Sequence, residues 1–405
     1  MKKILPFLFV FALVWGAEDP ETESYRYLTI GNTGTAAIPQ TGVVINWHFH
    51  DASTAKVYFK ADSLGAFTED DTLNLAVCVI DTVDSTLSVG GTYTDEGDYE
   101  ACEHVIYHLP VDGLTKGTRY KYYIKASLEA ARFDTARFYT PSDNPVMLGV
   151  SDFQVDNITK YQSYCDSIYD IMSDFDMVVT AGDYAEIGEK YIGWQKFFAG
   201  MDTVLAWHIM IPCLGDHDTR RWTGASIAED VRNYRDFFYL PVDGFIAATY
   251  DELNYHFKIG DYGFVVSMWN GNVVTTDIYE TLFDYIKLAN GINDAKQNVL
   301  VWHNNQVGLT NRLMLSYWKS NIDLAFIGDA HSASKLSLGA PGYNLAFTHS
   351  VSKAMSTYKT GWYNDTQYQY LGKRFITRIE FEKNQIKMRK IRLDGDVVET
   401  VYVRR

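Results

Sequence analysis

The chain has 405 residues, with 36 Lys+Arg against 51 Asp+Glu, a formal net charge of −15, 47% hydrophobic residues and 15% aromatics. The apolar content suffices for a sizeable core, the net charge per residue is too small for disorder, and the length makes two domains the expectation. The acidic balance argues against a nucleic-acid scaffold or an anionic membrane surface as partner, because both select Lys/Arg stripes.

The first residues, MKKILPFLFVFALVWGA, open on Lys2 and Lys3, run apolar from Ile4 to Trp15 and end on Gly16-Ala17. This is the pattern of a secretory signal peptide over residues 1–17. Its apolar stretch falls short of the about 20 residues that span a bilayer. The mature protein is therefore expected to be secreted or periplasmic, with no transmembrane segment. Such a compartment permits disulfides. The four cysteines, Cys78, Cys102, Cys165 and Cys213, allow three pairings. The simplest is domain-wise, Cys78–Cys102 and Cys165–Cys213; four buried free thiols are an equal alternative.

From about residue 43 to 140 the pattern is that of strands. VVINWHF, AKVYFKA, LNLAVCVID, VIYHLPV, RYKYYIKAS and ARFDTARFYT are short, rich in β-branched and aromatic residues, and separated by Gly, Asp and Thr clusters. About seven strands in some 100 residues suggest a β-sandwich. GLTKGTRYKYYIKA places Gly117-Thr118 just before a strand that begins near Tyr120. It resembles the Fibronectin-III-like pattern in which a Tyr closes a corner between strands. The sandwich is thus expected over residues 18–140. Residues 141–145, which with Thr140 read TPSDNP, form the linker. Strands and helices then alternate over 146–405. VMLGVS, DMVVTAG, HIMIPCLG, NVLVWH and DLAFIG read as strands. Helical patterns cover 158–172, 189–200, 226–239, 277–290 and 311–320, and NYHFKIGDYGFVVSMWN reads as a hairpin at Gly260-Asp-Tyr-Gly263. RFITRIEFE and QIKMRKIRLD add a last β stretch. The alternation predicts a layered α/β domain of sheets flanked by helices.

The chemistry gathers where these strands end. Four ends carry Ser-Asp152-Phe-Gln154, Gly-Asp183-Tyr-Ala-Glu186, Gly-Asp216-His217-Asp218 and Gly-Asp329-Ala-His331; a fifth carries Trp302-His303-Asn304-Asn305. Ligands of open α/β sheets bind at the carboxyl ends of strands, and a Gly before an acid lets the backbone turn sharply. Each Asp alone reads more readily as a helix N-cap, and His217 or His331 alone as a satisfied core group. Five loops on one rim outweigh that reading, because together they assemble the donors of a two-cation site.

In order and spacing the blocks D-F-Q, GD, GDHD, VWH and GDAH resemble those of the calcineurin-like metallophosphoesterases, over about residues 146–392. The sandwich in front makes the whole resemble the purple acid phosphatase branch. Position by position, the resemblance implies that Asp152, Asp183 and His331 hold a first metal, with Gln154 where a His is usual. Asp183 bridges, and Asp216, His303 and Asp329 complete the second metal's shell. It further implies that His217 protonates the leaving group, that Asp218 orients His217, and that Arg220 or Arg221 binds a phosphate oxygen. The implied activity is hydrolysis of phosphate monoesters, with diesters open, through a dinuclear metal-bridged hydroxide. The partner is a small phosphorylated substrate.

The sequence departs from the family pattern at Gln154, at Asp216 in place of Asn, and at Asp329 in place of His. Glu186 stands where the purple branch has a metal-binding Tyr, so the protein is expected to be colourless. Carboxylate-rich sites suit Mn²⁺, Mg²⁺ or Ca²⁺ better than Fe or Zn. The alternative function is a weakened or inactive phosphoesterase fold serving as an extracellular binding or structural module. His48 and His50 share one strand face, and His104 and His108 lie elsewhere in the same region; half-buried strand histidines are preferred there over a second metal site. The oligomer is left open.

Overall fold

The computed structural model describes residues 24–31, 39–49, 55–84, 103–126, 134–153, 158–185, 188, 191–219, 231–242, 244, 250–268, 276–303, 321–328, 335–337, 346–349, 375–392 and 395–404. The expected signal peptide, Cys102, Gln154, Glu186, Arg220, Arg221, Asp329, His331 and the helix expected over 311–320 lie outside them.

Among the described residues, the N-terminal part holds seven strands: β1 Ser24–Thr29, β2 Val43–Phe49, β3 Ala55–Ala61, β4 Val79–Asp84, β5 Glu103–Val111, β6 Arg119–Ala126 and β7 Ala136–Tyr139. Four pair antiparallel in the order β1-β2-β5-β4, and three in the order β3-β6-β7. β1 is a strand that the pattern starting at residue 43 did not anticipate. The Tyr120 hydroxyl accepts the Thr115 backbone N–H at 2.9 Å, tying the start of β6 to the turn before it.

The rest of the chain adds β8 Val146–Val150, α1 Ile158–Ile171, β9 Met177–Thr180, α2 Tyr191–Trp207, β10 Ile209–Ile211, α3 Arg232–Phe237, β11 Asn254–Ile259 and β12 Tyr262–Ser267. There follow α4 Thr276–Asn293, β13 Gln297–Trp302, β14 Leu324–Ile327, β15 Lys335–Ser337, β16 Ala346–His349, β17 Phe375–Glu382, β18 Gln385–Arg392 and β19 Val397–Arg404. β8, β9 and β10 run parallel. VMLGV, MVVT and IMI are near-continuous apolar runs buried along almost their whole length, as parallel strands covered on both faces require. The helix expected over 189–200 runs on to Trp207 as α2, because Met201, Val204, Leu205 and Ala206 extend its buried face. Among the described residues, no helix is long and apolar enough to cross a membrane.

Two sheets face each other. One has the order β19-β18-β17-β8-β9-β10-β1-β2-β5-β4 and the other β11-β12-β13-β14-β16-β15. They meet closely: a Cβ on Gly149 of β8 would lie 2.5 Å from the Phe326 ring of β14. Phe264 of β12 and Phe381 of β17 pack at 5.4 Å between ring centres. The helices α1 and α2 pack on each other, with α2 on β1 and β10, while α4 packs on β11 and β12.

The N-terminal strands are joined to this core through β1, which pairs parallel with β10 at Leu28–Ile209 and Thr29–Met210. The Tyr27 hydroxyl donates to the Phe237 carbonyl at 2.6 Å and the Tyr122 hydroxyl to the Ala206 carbonyl at 2.8 Å. One continuous apolar core therefore runs through both parts.

The expected Cys165–Cys213 disulfide is not formed. Cys78, Cys165 and Cys213 are free thiols. Cys165 donates to the Gly200 carbonyl at 3.1 Å across the α1–α2 contact, while Cys213 lies just past β10, 3.6 Å from the Ser267 carbonyl of the facing sheet. The two side chains are taken up by different layers.

Candidate metal centre

β8, β9 and β10 of one sheet and β13 of the other end on a common rim. Asp152, Asp183, Asp216, His217 and His303 follow those ends, and all five are buried. Two groups of three offer ligand atoms within 4.8 Å of one another: Asp152, Asp183 and His303, and Asp183, Asp216 and His217. Asp183 belongs to both.

The backbone is bent to make this arrangement. Asp152 and Asp183 both sit in the left-handed region, at φ 56° and 60°, which Asp tolerates better than most residues at a modest cost in strain. The two loops are laced together: the Asp152 N–H donates to the Gly182 carbonyl at 3.0 Å, and the Phe153 N–H to the Asp183 carbonyl at 2.6 Å. The loops after β9 and β10 touch backbone to backbone. A Cβ on Gly182 would lie 2.4 Å from the Gly215 nitrogen, and one on Gly215 would lie 2.1 Å from the Asp183 nitrogen. Only glycine permits that approach.

His303 is held by both nitrogens. Nδ1 lies 2.6 Å from the Ala181 carbonyl, so it carries the hydrogen and donates it. Nε2 then faces the acids, 2.9 Å from Asp216 Oδ1 and 3.2 Å from Asp183 Oδ1. A ligating imidazole typically has this support, in which a carbonyl fixes the tautomer and aims the other nitrogen at the ion. Burial by itself would lower the His303 pKa. The charge of Asp183, hydrogen bonds to Asp183 and Asp216, and the charge of Asp152 outweigh burial and push it well above the ordinary histidine value. Three buried carboxylates thus make a place that demands positive charge. Carboxylate oxygens with imidazole nitrogens are a donor set that divalent cations accept, so the residues present fit a metal pair.

Of the six described candidates, Asp152, Asp183, Asp216, His217 and His303 lie together, in groups other than those the resemblance implied. His303 stands with Asp152 as well as with Asp216, and His217 is close enough to Asp183 and Asp216 to serve as a ligand. Asp218 does not play the part expected of it. Its carboxylate does not hydrogen-bond the His217 ring. It accepts four backbone N–H groups instead, from Asp183 at 2.9 Å, Tyr184 at 2.7 Å, Ala185 at 3.3 Å and Gly215 at 2.7 Å. Burial, together with the nearby Asp183 charge, pushes the Asp218 carboxyl up to about 7 against the pull of those donors. Two contributors went unread in the sequence. The Ser151 hydroxyl donates to Asp152 Oδ2, and the Ala181 carbonyl orients His303. Ser151 was legible as a hydroxyl beside an acid at a strand end; a backbone carbonyl leaves no mark in the sequence.

Two facing sheets, with acids and histidines on the loops beyond parallel strands, define the fold. Solved structures of that fold match this one. Purple acid phosphatase PPD1 from yellow lupin (Lupinus luteus) seeds superposes with a TM-score of 0.66 at 13% identity, over 95% of this chain and 75% of its own. PhoD superposes with a TM-score of 0.54 at 12% identity, over 96% of this chain and 90% of its own. No protein-family model and no curated protein sequence matches the chain. The kinship is therefore one of fold.

Proposed function

We propose that the protein is an exported metal-dependent phosphoesterase that hydrolyses phosphate monoesters, with diesters the next class to try. The observation that carries this reading is Asp183, shared by two ligand groups in a fold that purple acid phosphatase and PhoD also have. Asp152, Asp183 and His303 would hold one divalent ion, and Asp183 and Asp216 the second. Bound there, the ions would supply Lewis acidity and positive charge to the phosphoryl oxygens.

The chain's own groups supply the rest. His303, fixed by Ala181, presents one nitrogen toward the acids. His217, whose ring nitrogen lies within 4.8 Å of the Asp183 and Asp216 carboxylates at the edge of the centre, would give a proton to the departing alkoxide. The excess of carboxylate favours Mn²⁺, Mg²⁺ or Ca²⁺ over Fe or Zn, and a more alkaline optimum than an imidazole-rich centre has. We read the N-terminal strands as a Fibronectin-III-like sandwich: the strand orders β1-β2-β5-β4 and β3-β6-β7 and the Tyr120 corner support it. Residues 141–145 are then the linker, pinned where Asp143 takes hydrogen bonds from Lys116 at 2.7 Å and Gln40 at 2.9 Å.

The test is hydrolysis of an aryl phosphate monoester and a diester by chelator-stripped protein, with Mn²⁺, Mg²⁺, Ca²⁺ or Zn²⁺ added back. Turnover of the monoester that returns with an oxygen-preferring ion is the expected result. A protein that binds these ions yet hydrolyses neither ester overturns the reading.

A further inference from the structure

We propose that Asp218 is the positioning residue of the metal centre: its carboxylate shapes the loop that presents Asp183 to both ions. The inference rests on the metal-dependent reading above. Four buried N–H groups converge on this one side chain, three in a row from the loop after β9 and one from the loop after β10. Its two oxygens share the four donors, Tyr184 and Ala185 on Oδ1, Asp183 and Gly215 on Oδ2.

The clasp is reciprocal. Asp218 Oδ2 takes the Asp183 N–H at 2.9 Å, while Asp183 Oδ1 takes the His217 N–H at 2.9 Å. Each loop's acid therefore holds the other loop's backbone. The same loop is fastened from outside. The Gly188 N–H donates to the His217 carbonyl at 2.7 Å, and a Cβ on Gly188 would lie 2.1 Å from the Asp218 carbonyl oxygen. Asp183 sits at φ 60°, a conformation that its own sequence does not impose. Asp218 supplies the hydrogen bonds that keep it there. Its part is thus to set the direction of the bridging acid, and it acts on ion affinity rather than on proton transfer at His217.

The experiment compares full-length wild type with Asp218→Asn. The asparagine keeps the shape but turns an N–H₂ toward backbone donors. Mn²⁺ binding to chelator-stripped protein is measured by calorimetry. Amide exchange of peptides covering 181–185 and 213–219 is measured without metal. Asp218→Asn should weaken Mn²⁺ binding by roughly 10–100-fold, the usual size for a group behind a ligand, and exchange faster in both peptides. Turnover at saturating Mn²⁺ is read alongside and should fall by less than the Mn²⁺ affinity does.

Unchanged affinity and exchange overturn the proposal. So does a loss confined to turnover with an altered pH profile, which would return Asp218 to His217. Asp218→Glu, which keeps both acceptor oxygens, should recover part of the affinity and stands in if the asparagine variant does not fold. Wild type that takes up no Mn²⁺ defeats the metal reading, whereas wild type that binds alongside an equally tight Asp218→Asn defeats only this inference.

Discussion

The rim above β8, β9, β10 and β13 and the N-terminal strands β2 and β5 both bury histidines, and the two sets do different work. At the rim, His303 and His217 stand among Asp152, Asp183 and Asp216, beyond the ends of strands from both sheets. In the N-terminal part, His48 lies inside β2 among rings, 4.8 Å from Tyr25 and 5.1 Å from Phe198 between centres. His108, inside β5, meets Asn46 Oδ1 at 2.7 Å and the Asp236 carbonyl at 3.1 Å, with the Asp81 carboxylate at 3.3 Å. A residue within a strand has neighbours fixed by sheet pairing. A residue one or two places past a parallel strand is free to meet the loops of its neighbours, and acids can collect there.

The comparison can be broken most directly at Asp183. Asp183→Ala removes the ligand common to both groups, so hydrolysis should fall to the uncatalysed background and bound metal from two ions to one or none. Metal analysis and the aryl phosphate assay check it together. His217→Ala should lower kcat by roughly 10²–10⁴-fold, the range of general acid catalysis, with both ions retained. A drop in metal content would make His217 a ligand instead. His108→Ala should leave metal content and kcat/KM alone while costing about 1–3 kcal/mol in denaturant unfolding, because Asn46 loses a buried partner. Loss of metal in that variant would erase the distinction between the two histidine sets.

The smallest effect concerns the contact between the N-terminal strands and α3. Burial pushes Glu252 up to about 7, with Arg235 pulling it down and the Asp81 charge pushing it up. A carboxyl whose pKa rises on folding favours the folded state when protonated. That contribution is full below the unfolded value, about 4.3, and is lost as pH climbs toward 7. Glu252→Gln should therefore be more stable than wild type at pH 8, by on the order of 1 kcal/mol once screening of its 20% exposed side chain is allowed for, and equal to it near pH 4. Thermal melts across that range measure the difference.

Much of the rim was legible because parallel strands announce themselves. VMLGV, the MVV of MVVT and the VLVW of QNVLVW are apolar runs, and acids or histidines follow within a few residues of their ends. The joint between the two parts was not legible. SYRYLT alternates Tyr25 and Tyr27 with polar residues, as a half-exposed strand would, yet β1 is buried from Tyr25 to Thr29 because it lies between β2 and β10. β19 was also unread; VVETVYVR gains its place only by pairing with β18. The role of Asp218 was out of reach for a different reason. An acid next to His217 in the chain suggests a partner for that ring, and only the fold reveals that its carboxylate turns back to four amides. Likewise Cys165 and Cys213 look like a pair by count, and the layers that hold them keep them apart.

The central claim is that Asp183 is shared by two cations. Anomalous diffraction from crystals of the full-length protein loaded with Mn²⁺ tests it directly. The account predicts two peaks flanking the Asp183 carboxylate, one against Asp152 and His303 and the other against Asp216. A single peak away from Asp183, or none at saturating Mn²⁺, contradicts it.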